Sequence, residues 1–210
     1  MSDLVLHGYW RSGTSYRTRI ALNLKGLGYE QAGVDLRTGD QRGEPFLALN
    51  PQGLVPALEV DGVVLTQSPA ILEWLEERYP DPPLLPADPT DRAIVRAMAA
   101  TVACDIHPLN NLRVLKAVRA LGAEDNAWAA RWIAPGFAAL EVQIARHGRG
   151  FAFGATPTLA DCHLVPQVYS AERFGIDLAP YPKLLEAVTH ARALPAVAAA
   201  HPDNQPDADR

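Results

Sequence analysis

The chain has 210 residues, 48% of them hydrophobic, and a formal net charge of −5 at pH 7. That length allows one large domain or two small ones with a full core. The acidic balance argues against a nucleic-acid partner, and no apolar run reaches the roughly 20 residues of a membrane-spanning helix. Asp3 and His7 interrupt the opening apolar residues, so no secretory leader is expected and a cytoplasmic location is.

Leu4–His7 reads as a short strand, and Ser15–Lys25 as a helix capped by Ser15 and stopped by Gly26 and Gly28. Glu30–Asp35 is a second short strand, followed by a polar loop from Arg37 to Glu44. Ala57–Val60 and Val63–Thr66 flank Asp61-Gly62, a two-residue hairpin signal. Ser68 is the expected cap of a helix running to Tyr79, with Pro69 at its first position. The order β-α-β-(loop or short helix)-β-β-α over residues 1–80 is thioredoxin-like. Within that order Val55-Pro56 is expected to be cis and to present the Val55 backbone to an extended peptide.

Five prolines (Pro80, Pro82, Pro83, Pro86 and Pro89) exclude a helix or central strand and mark a linker, residues 81–90. From there to residue 210 the pattern is all-helical. Asp91–Leu121 carries the stripe Ile94, Met98, Val102 and Ile106, with a kink expected at Pro108. Ala127–His147 is a second helix. Thr158-Leu-Ala-Asp161 opens a third with a capping-box pattern, and Pro182–Leu194 is a fourth. The tail after His201 holds three Asp and two Pro and is expected to fray. Cys104 and Cys162 sit in apolar helical patterns and read as reduced core residues. No spacing suggests a metal site.

The chemistry concentrates in Arg11-Ser-Gly-Thr-Ser-Tyr-Arg-Thr18, between the first strand and first helix. A helix start leaves N–H groups unpaired and carries partial positive charge, so it stabilises an anion, including a thiolate. Thioredoxin-like folds often carry Cys-x-x-Cys here. This chain has Ser12-x-x-Ser15, which excludes dithiol redox chemistry at that place but allows hydroxyl donation to the thiolate of a ligand. Ser12 is the favoured donor; Ser15 reads chiefly as a cap, and Tyr9 is a competing donor. Gln67-Ser68 opens a helix and suits a carboxylate. His107-Pro-Leu-Asn-Asn-Leu-Arg113 is a polar insertion in the apolar stripe, with His107 and Asn111 four apart and expected on one helix face.

Together these segments resemble the zeta-class glutathione transferases over nearly the whole chain. The matching stretches are Arg11–Leu22, Ala48-Leu-Asn-Pro51, Val55-Pro56, Gln67-Ser-Pro-Ala-Ile71 and Asp105–Arg113. Thr158-Leu-Ala-Asp161, Val165-Pro-Gln167, Glu172-Arg-Phe174 and Gln205-Pro-Asp207 match as well. The resemblance implies the glutathione transferase fold: an α/β thioredoxin-like N-terminal domain, an all-α C-terminal domain, and a homodimer. It implies glutathione as coenzyme, with Ser12 at its sulfur and Gly13 and Thr14 beside it. Val55 would pair with its backbone, Gln67 and Ser68 would hold its γ-glutamyl end, and His107 and Asn111 would reach it from the helical domain. Arg11, Arg113 and Arg173 would receive the carboxylates of a small dianionic maleyl keto acid, with Ser12, Arg11 and Thr14 as the catalytic set. The implied reaction is cis-trans isomerisation, maleylacetoacetate to fumarylacetoacetate. Isomerisation of maleylpyruvate and general glutathione conjugation are the alternatives. Many zeta enzymes carry Ser-Ser-Cys where this chain has Ser12-Gly13-Thr14, and the Gly-Thr variant looks like the maleylpyruvate branch.

Overall fold

A computed structural model describes residues 4–208. The chain divides into two compact units. One runs to Pro83 and also takes in the residues from Leu194 on; the other is Leu84–Ala193. The sequence pattern places all of residues 91–210 in the helical domain, whereas the structure groups the segment from Leu194 with the first unit.

The first unit is built on a four-stranded sheet, in the order β2-β1-β3-β4. The strands are β1 (Leu4–Gly8), β2 (Glu30–Gly33), β3 (Ala57–Val60) and β4 (Val63–Thr66). β1 pairs parallel with β2 and antiparallel with β3, which pairs antiparallel with β4. The parallel pair requires a crossover, supplied by α1 (Gly13–Leu24). The hairpin turn places Asp61 at φ 49° and Gly62 at φ 79°, the two positive angles a type I′ turn needs. A short helix, α2 (Glu44–Leu49), lies within the β2–β3 connection, and α3 (Ser68–Arg78) follows the hairpin. Helices α1 and α3 pack on each other, and Tyr16, Ile20 and Leu22 of α1 and Ile71, Leu72 and Leu75 of α3 are buried. Val34, Phe46 and Ala57 form a second apolar cluster with Leu49, Val55 and Val64 against it. The Val55–Pro56 bond is cis, as expected from the order of elements.

Two caps differ from the sequence expectation. Helix α1 begins at Gly13, so its cap is Ser12 and not Ser15; the Ser12 side chain accepts the Ser15 N–H at 3.3 Å. Helix α3 has Gln67 in the cap position, and Ser68 is its first residue. The tail, expected to fray, is ordered over its described residues up to Ala208, with residues 209–210 outside them. Residues Pro202–Asn204 form a 3₁₀ turn, and Pro202 and Gln205 are buried.

The second unit is mostly helical: α4 (Pro89–Ala100), α5 (Leu112–Ala120), α6 (Asp125–His147), α7 (Leu159–Arg173) and α8 (Pro182–Ala193). Every residue of α7 from Leu159 to Val168 is buried, making it the central element, and α4 and α8 pack against it. The Thr158–Asp161 capping box at its start is present. The single helix expected over 91–121 is broken. After α4 the chain makes a π-helical stretch at Thr101–Ile106 and a 3₁₀ turn at His107–Asn110, then restarts at α5. Pro108 has no N–H to donate and its ring crowds the preceding turn, which disfavours a continuous α-ladder at this point, although Pro135 and Pro166 are accommodated within α6 and α7. Of the expected stripe Met98, Val102 and Ile106 are buried, while in α4 Val95 is buried and Ile94 is only half-buried. Cys104 is exposed, two residues on from buried Val102 and so on the opposite face, which corrects its reading as a core residue, while Cys162 is buried. Gly136 of α6 allows the π stretch to approach, since a Cβ there would collide with Ile106 Cδ1. The short C-terminal helix α9 (Pro195–Ala199) packs on α1 in the first unit.

Candidate active site

In the first unit the chemistry-bearing residues gather at the starts of α1 and α3 and at the turn into β3. Strand β1 ends at Gly8, and the chain turns through Tyr9, Trp10 and Arg11 before Ser12, whose N–H donates to the Tyr9 carbonyl at 3.0 Å. The N–H groups of Gly13 and Thr14, at the first helical positions, have no partner within the helix. No acidic residue occupies the first turn of α1. The partial positive charge of the helix start is therefore not offset by its own side chains.

The Ser12 hydroxyl is half-buried and lies 3.0 Å from Thr14 Oγ1. Thr14 Oγ1 donates to the Val55 carbonyl at 2.9 Å. Because that bond uses the one Thr14 hydroxyl proton, the Ser12–Thr14 contact has Ser12 as donor. A hydrogen bond donated this way to a neutral hydroxyl can be redirected to a stronger acceptor, such as a thiolate, by rotation about the Ser12 Cβ–Oγ bond. Thr14 thus ties the hydroxyl at α1 to the backbone turn that enters β3.

The competing donors are placed differently. The Tyr9 phenolic oxygen is sealed in the interior without a hydrogen-bond partner, so it cannot meet a ligand's sulfur as the side chain stands. Ser15 is fully buried, and its Oγ accepts the Tyr9 N–H at 3.3 Å. Arg11 is half-buried with its guanidinium 5.2 Å from the Trp10 ring centroid.

At α3, Gln67 has φ 65° and ψ 107°, a backbone conformation that non-glycine residues avoid. Its Nε2 donates to Gln52 Oε1 at 2.6 Å. Strain of this kind, of order 1–3 kcal/mol, collects at binding sites. Ser68 is buried, and its Oγ accepts from Arg17 Nη1 at 3.0 Å, leaving its proton for an acceptor. Arg17 is itself only 2% exposed, so a cation underlies a helix start that has no acid in its first turn. That combination favours a carboxylate. The donor set therefore fits glutathione: a hydroxyl and helix start for its thiolate, a backbone turn for its peptide, and a second helix start with a buried cation for its γ-glutamyl carboxylate. Sequence reasoning did not find the link between Arg17 and Ser68. Arg17 and Arg19 alternate with Tyr16, Thr18 and Ile20 on a helix that is buried throughout from Ser15 to Leu22, and buried charges need partners.

In the second unit, His107 opens the 3₁₀ turn and Asn111 is the cap of α5 in extended conformation. The two therefore do not share one continuous helix face, contrary to the spacing argument. Asn111 Oδ1 accepts the Arg113 N–H at 3.0 Å, so its amide NH₂ is the group left to reach a ligand. Arg113 and Arg173 are exposed, and the Arg173 guanidinium sits 5.9 Å from the Tyr169 ring centroid.

Comparison with known proteins agrees with these features. Residues 11–78 match the family described as glutathione S-transferase, N-terminal domain. The chain is 54% identical to a maleylpyruvate isomerase from a Ralstonia species, over 96% of this chain and 98% of that protein. It superposes on the holo structure of a maleylpyruvate isomerase, a bacterial zeta-class glutathione S-transferase, with TM-score 0.96 and 52% identity, covering 98% of this chain and all (100%) of that one. A maleylacetoacetate isomerase from Anaeromyxobacter dehalogenans with glutathione bound in its active site gives TM-score 0.92 and 48% identity, over 99% of both chains. This chain belongs to the zeta-class glutathione transferases, the family that contains the maleylpyruvate and maleylacetoacetate isomerases.

Proposed function

We propose that this protein catalyses the glutathione-dependent cis-trans isomerisation of a maleyl keto acid, with maleylacetoacetate as its principal substrate. The observation that carries the reading is the Ser12 hydroxyl at the uncompensated start of α1, tied through Thr14 to the Val55 carbonyl, in a chain with no cysteine in that loop. Glutathione, when bound, supplies the thiolate that adds reversibly to the cis double bond, so that one high rotational barrier becomes two lower steps. Ser12 donates a hydrogen bond from its hydroxyl to the sulfur, and together with the helix start it favours the charged form. Gly13 and Thr14 line the same turn, Val55 presents backbone to the tripeptide, Gln67 and Ser68 hold its γ-glutamyl end, and His107 and Asn111 contribute from the helical unit. Arg11, Arg113 and Arg173 hold the two carboxylates of the substrate and stabilise the charge that develops on its keto oxygen.

The Gly13-Thr14 pair and the 54% identity to a maleylpyruvate isomerase favour maleylpyruvate as a second substrate. No helix among the described residues is long and apolar enough to cross a membrane. The reading places the enzyme in the cytoplasm as a homodimer, which sedimentation of the purified protein tests. The functional test is turnover of maleylacetoacetate and maleylpyruvate side by side, with and without glutathione. Glutathione-dependent isomerisation of either acid is expected. Activity confined to a chloronitrobenzene electrophile would replace this reading with general conjugation.

A further inference from the structure

Trp10, two residues before Ser12, has both of its backbone polar groups held by side chains. Its N–H donates to Asp207 Oδ2 at 2.9 Å, and its carbonyl accepts from Arg19 Nη2 at 2.8 Å. Both ties lead to the C-terminal segment. Asp207 belongs to it, and Arg19, only 1% exposed, donates its Nε to the Ala200 carbonyl at 3.0 Å. The segment is itself fixed. Gln205 donates to the carbonyls of Ala199 and His201 at 2.9 and 2.6 Å and accepts from Gln31 Nε2 at 2.9 Å. Asn23 of α1 donates to the Ala196 carbonyl at 2.9 Å.

The Trp10 N–H and carbonyl belong to two successive peptide planes. Holding both fixes the dihedral angles between them, and the Ser12 N–H to Tyr9 carbonyl bond closes the turn on the same frame. The direction in which Arg11 and Ser12 leave the turn is then set by Asp207, 197 residues away in the chain, and by Arg19, nine residues away, which is itself bound to Ala200 across 181 residues. An acidic tail expected to fray instead packs against the loop that carries the proposed thiolate donor.

We propose that the C-terminal segment is the positioning element of the Ser12 loop, with Asp207 and Arg19 as positioning residues that act through the Trp10 peptide. The inference rests on the reading of Ser12 as the hydroxyl donor. Asp207 works here as a hydrogen-bond acceptor. Its negative charge, in contrast, opposes a nearby thiolate, so the two roles have opposite signs. Asp207→Ala removes the acceptor and the charge, whereas Asp207→Asn removes only the charge and keeps an oxygen that can accept the Trp10 N–H.

The test follows the ultraviolet absorbance of the thiolate of bound glutathione against pH, together with turnover of a maleyl acid, in the full-length protein. Asp207→Ala should raise the pH at which the bound thiol ionises and lower kcat by roughly tenfold, because a displacement of about 1 Å at a reacting group costs up to 10²-fold. Asp207→Asn should recover most of both. Asp207→Ala with lower thermal stability but unchanged thiol titration would overturn the proposal, and so would an Asp207→Asn variant as impaired as Asp207→Ala. Ser12→Ala is titrated in parallel. If it leaves the thiol unmoved, the reading of Ser12 falls and this proposal with it. If it moves the thiol while Asp207→Ala does not, this proposal alone falls.

Discussion

Thr14 stands at the junction of the two halves of the proposed glutathione site, and removing its hydroxyl separates them. Thr14→Val keeps the shape of the side chain while deleting the donor to the Val55 carbonyl, 2.9 Å away, and the neighbour of Ser12 Oγ, 3.0 Å away. Both groups are part-buried and neutral, so each bond contributes about 0.5–1.5 kcal/mol net. Their joint loss should lower the free energy of unfolding by about 1–3 kcal/mol. The Val55 turn, no longer tethered to α1, must then be ordered by the ligand. An ordering cost near 1 kcal/mol raises the KM for glutathione by roughly fivefold. Urea unfolding reads the first quantity, and initial rates at saturating maleyl acid with varied glutathione read the second. Thr14→Ser, which retains the hydroxyl, should recover most of both. If Thr14→Val binds glutathione as tightly as wild type with unchanged stability, the Thr14 bridge has no part in forming the site.

Three further outcomes are expected. The Asp161 carboxyl accepts the N–H groups of Ala152 and Thr158 and the Thr158 hydroxyl, yet burial outweighs these donors and pushes it up to about 6 from an ordinary 3.8. The folded state thus holds this proton more tightly than the unfolded chain, so the contribution is complete below about pH 4 and is lost as pH rises to about 6. It amounts to about 3 kcal/mol; Asp161→Asn should abolish that slope in urea unfolding curves while destabilising the start of α7. Lys25 and Glu76 form a buried ion pair, with Lys25 Nζ also donating to the Pro82 carbonyl at 2.7 Å. Glu76→Gln strands the ammonium and should cost about 3 kcal/mol in the same assay, with the far-ultraviolet spectrum preserved. Arg113→Ala and Arg173→Ala should each raise the KM for the dianionic substrate by roughly tenfold through loss of a charge-assisted bond, with a smaller change in the KM for glutathione; unchanged kinetics would remove that arginine from the substrate site.

What was legible in the sequence was local or strongly patterned. Asp61-Gly62 defined the hairpin to the residue, the prolines from Pro80 located an irregular stretch, and Thr158 with Asp161 marked the start of α7. The errors came from long-range packing. Ser15 looks like a cap, but it is drawn inside against the Tyr9 N–H, and the cap falls to Ser12. The apolar stripe through Ile106 reads as one helix, whereas the chain passes into a π stretch and a 3₁₀ turn around Pro108, and Cys104 lies off the buried stripe. The polar tail lacks any apolar run that would announce burial. It is held instead by amide and carboxylate contacts from Gln205 and Asp207, which have no signature in local sequence. Of the proposed site, the residue types at the helix starts were readable. The Thr14–Val55 bond and the Arg17–Ser68 bond, which hold those residues in place, span 41 and 51 positions and were not.

The central claim is that a protein without a cysteine in its active loop uses the thiol of glutathione and that Ser12 tunes it. Titrating the thiolate absorbance of bound glutathione in wild type and Ser12→Ala, alongside turnover of maleylacetoacetate, measures this directly. In wild type the bound thiol should ionise below the free value of roughly 8.5. Ser12→Ala should move it back toward that value and lower kcat by roughly 10²-fold while glutathione still binds. A Ser12→Ala enzyme with the wild-type titration and near-normal turnover would contradict the account.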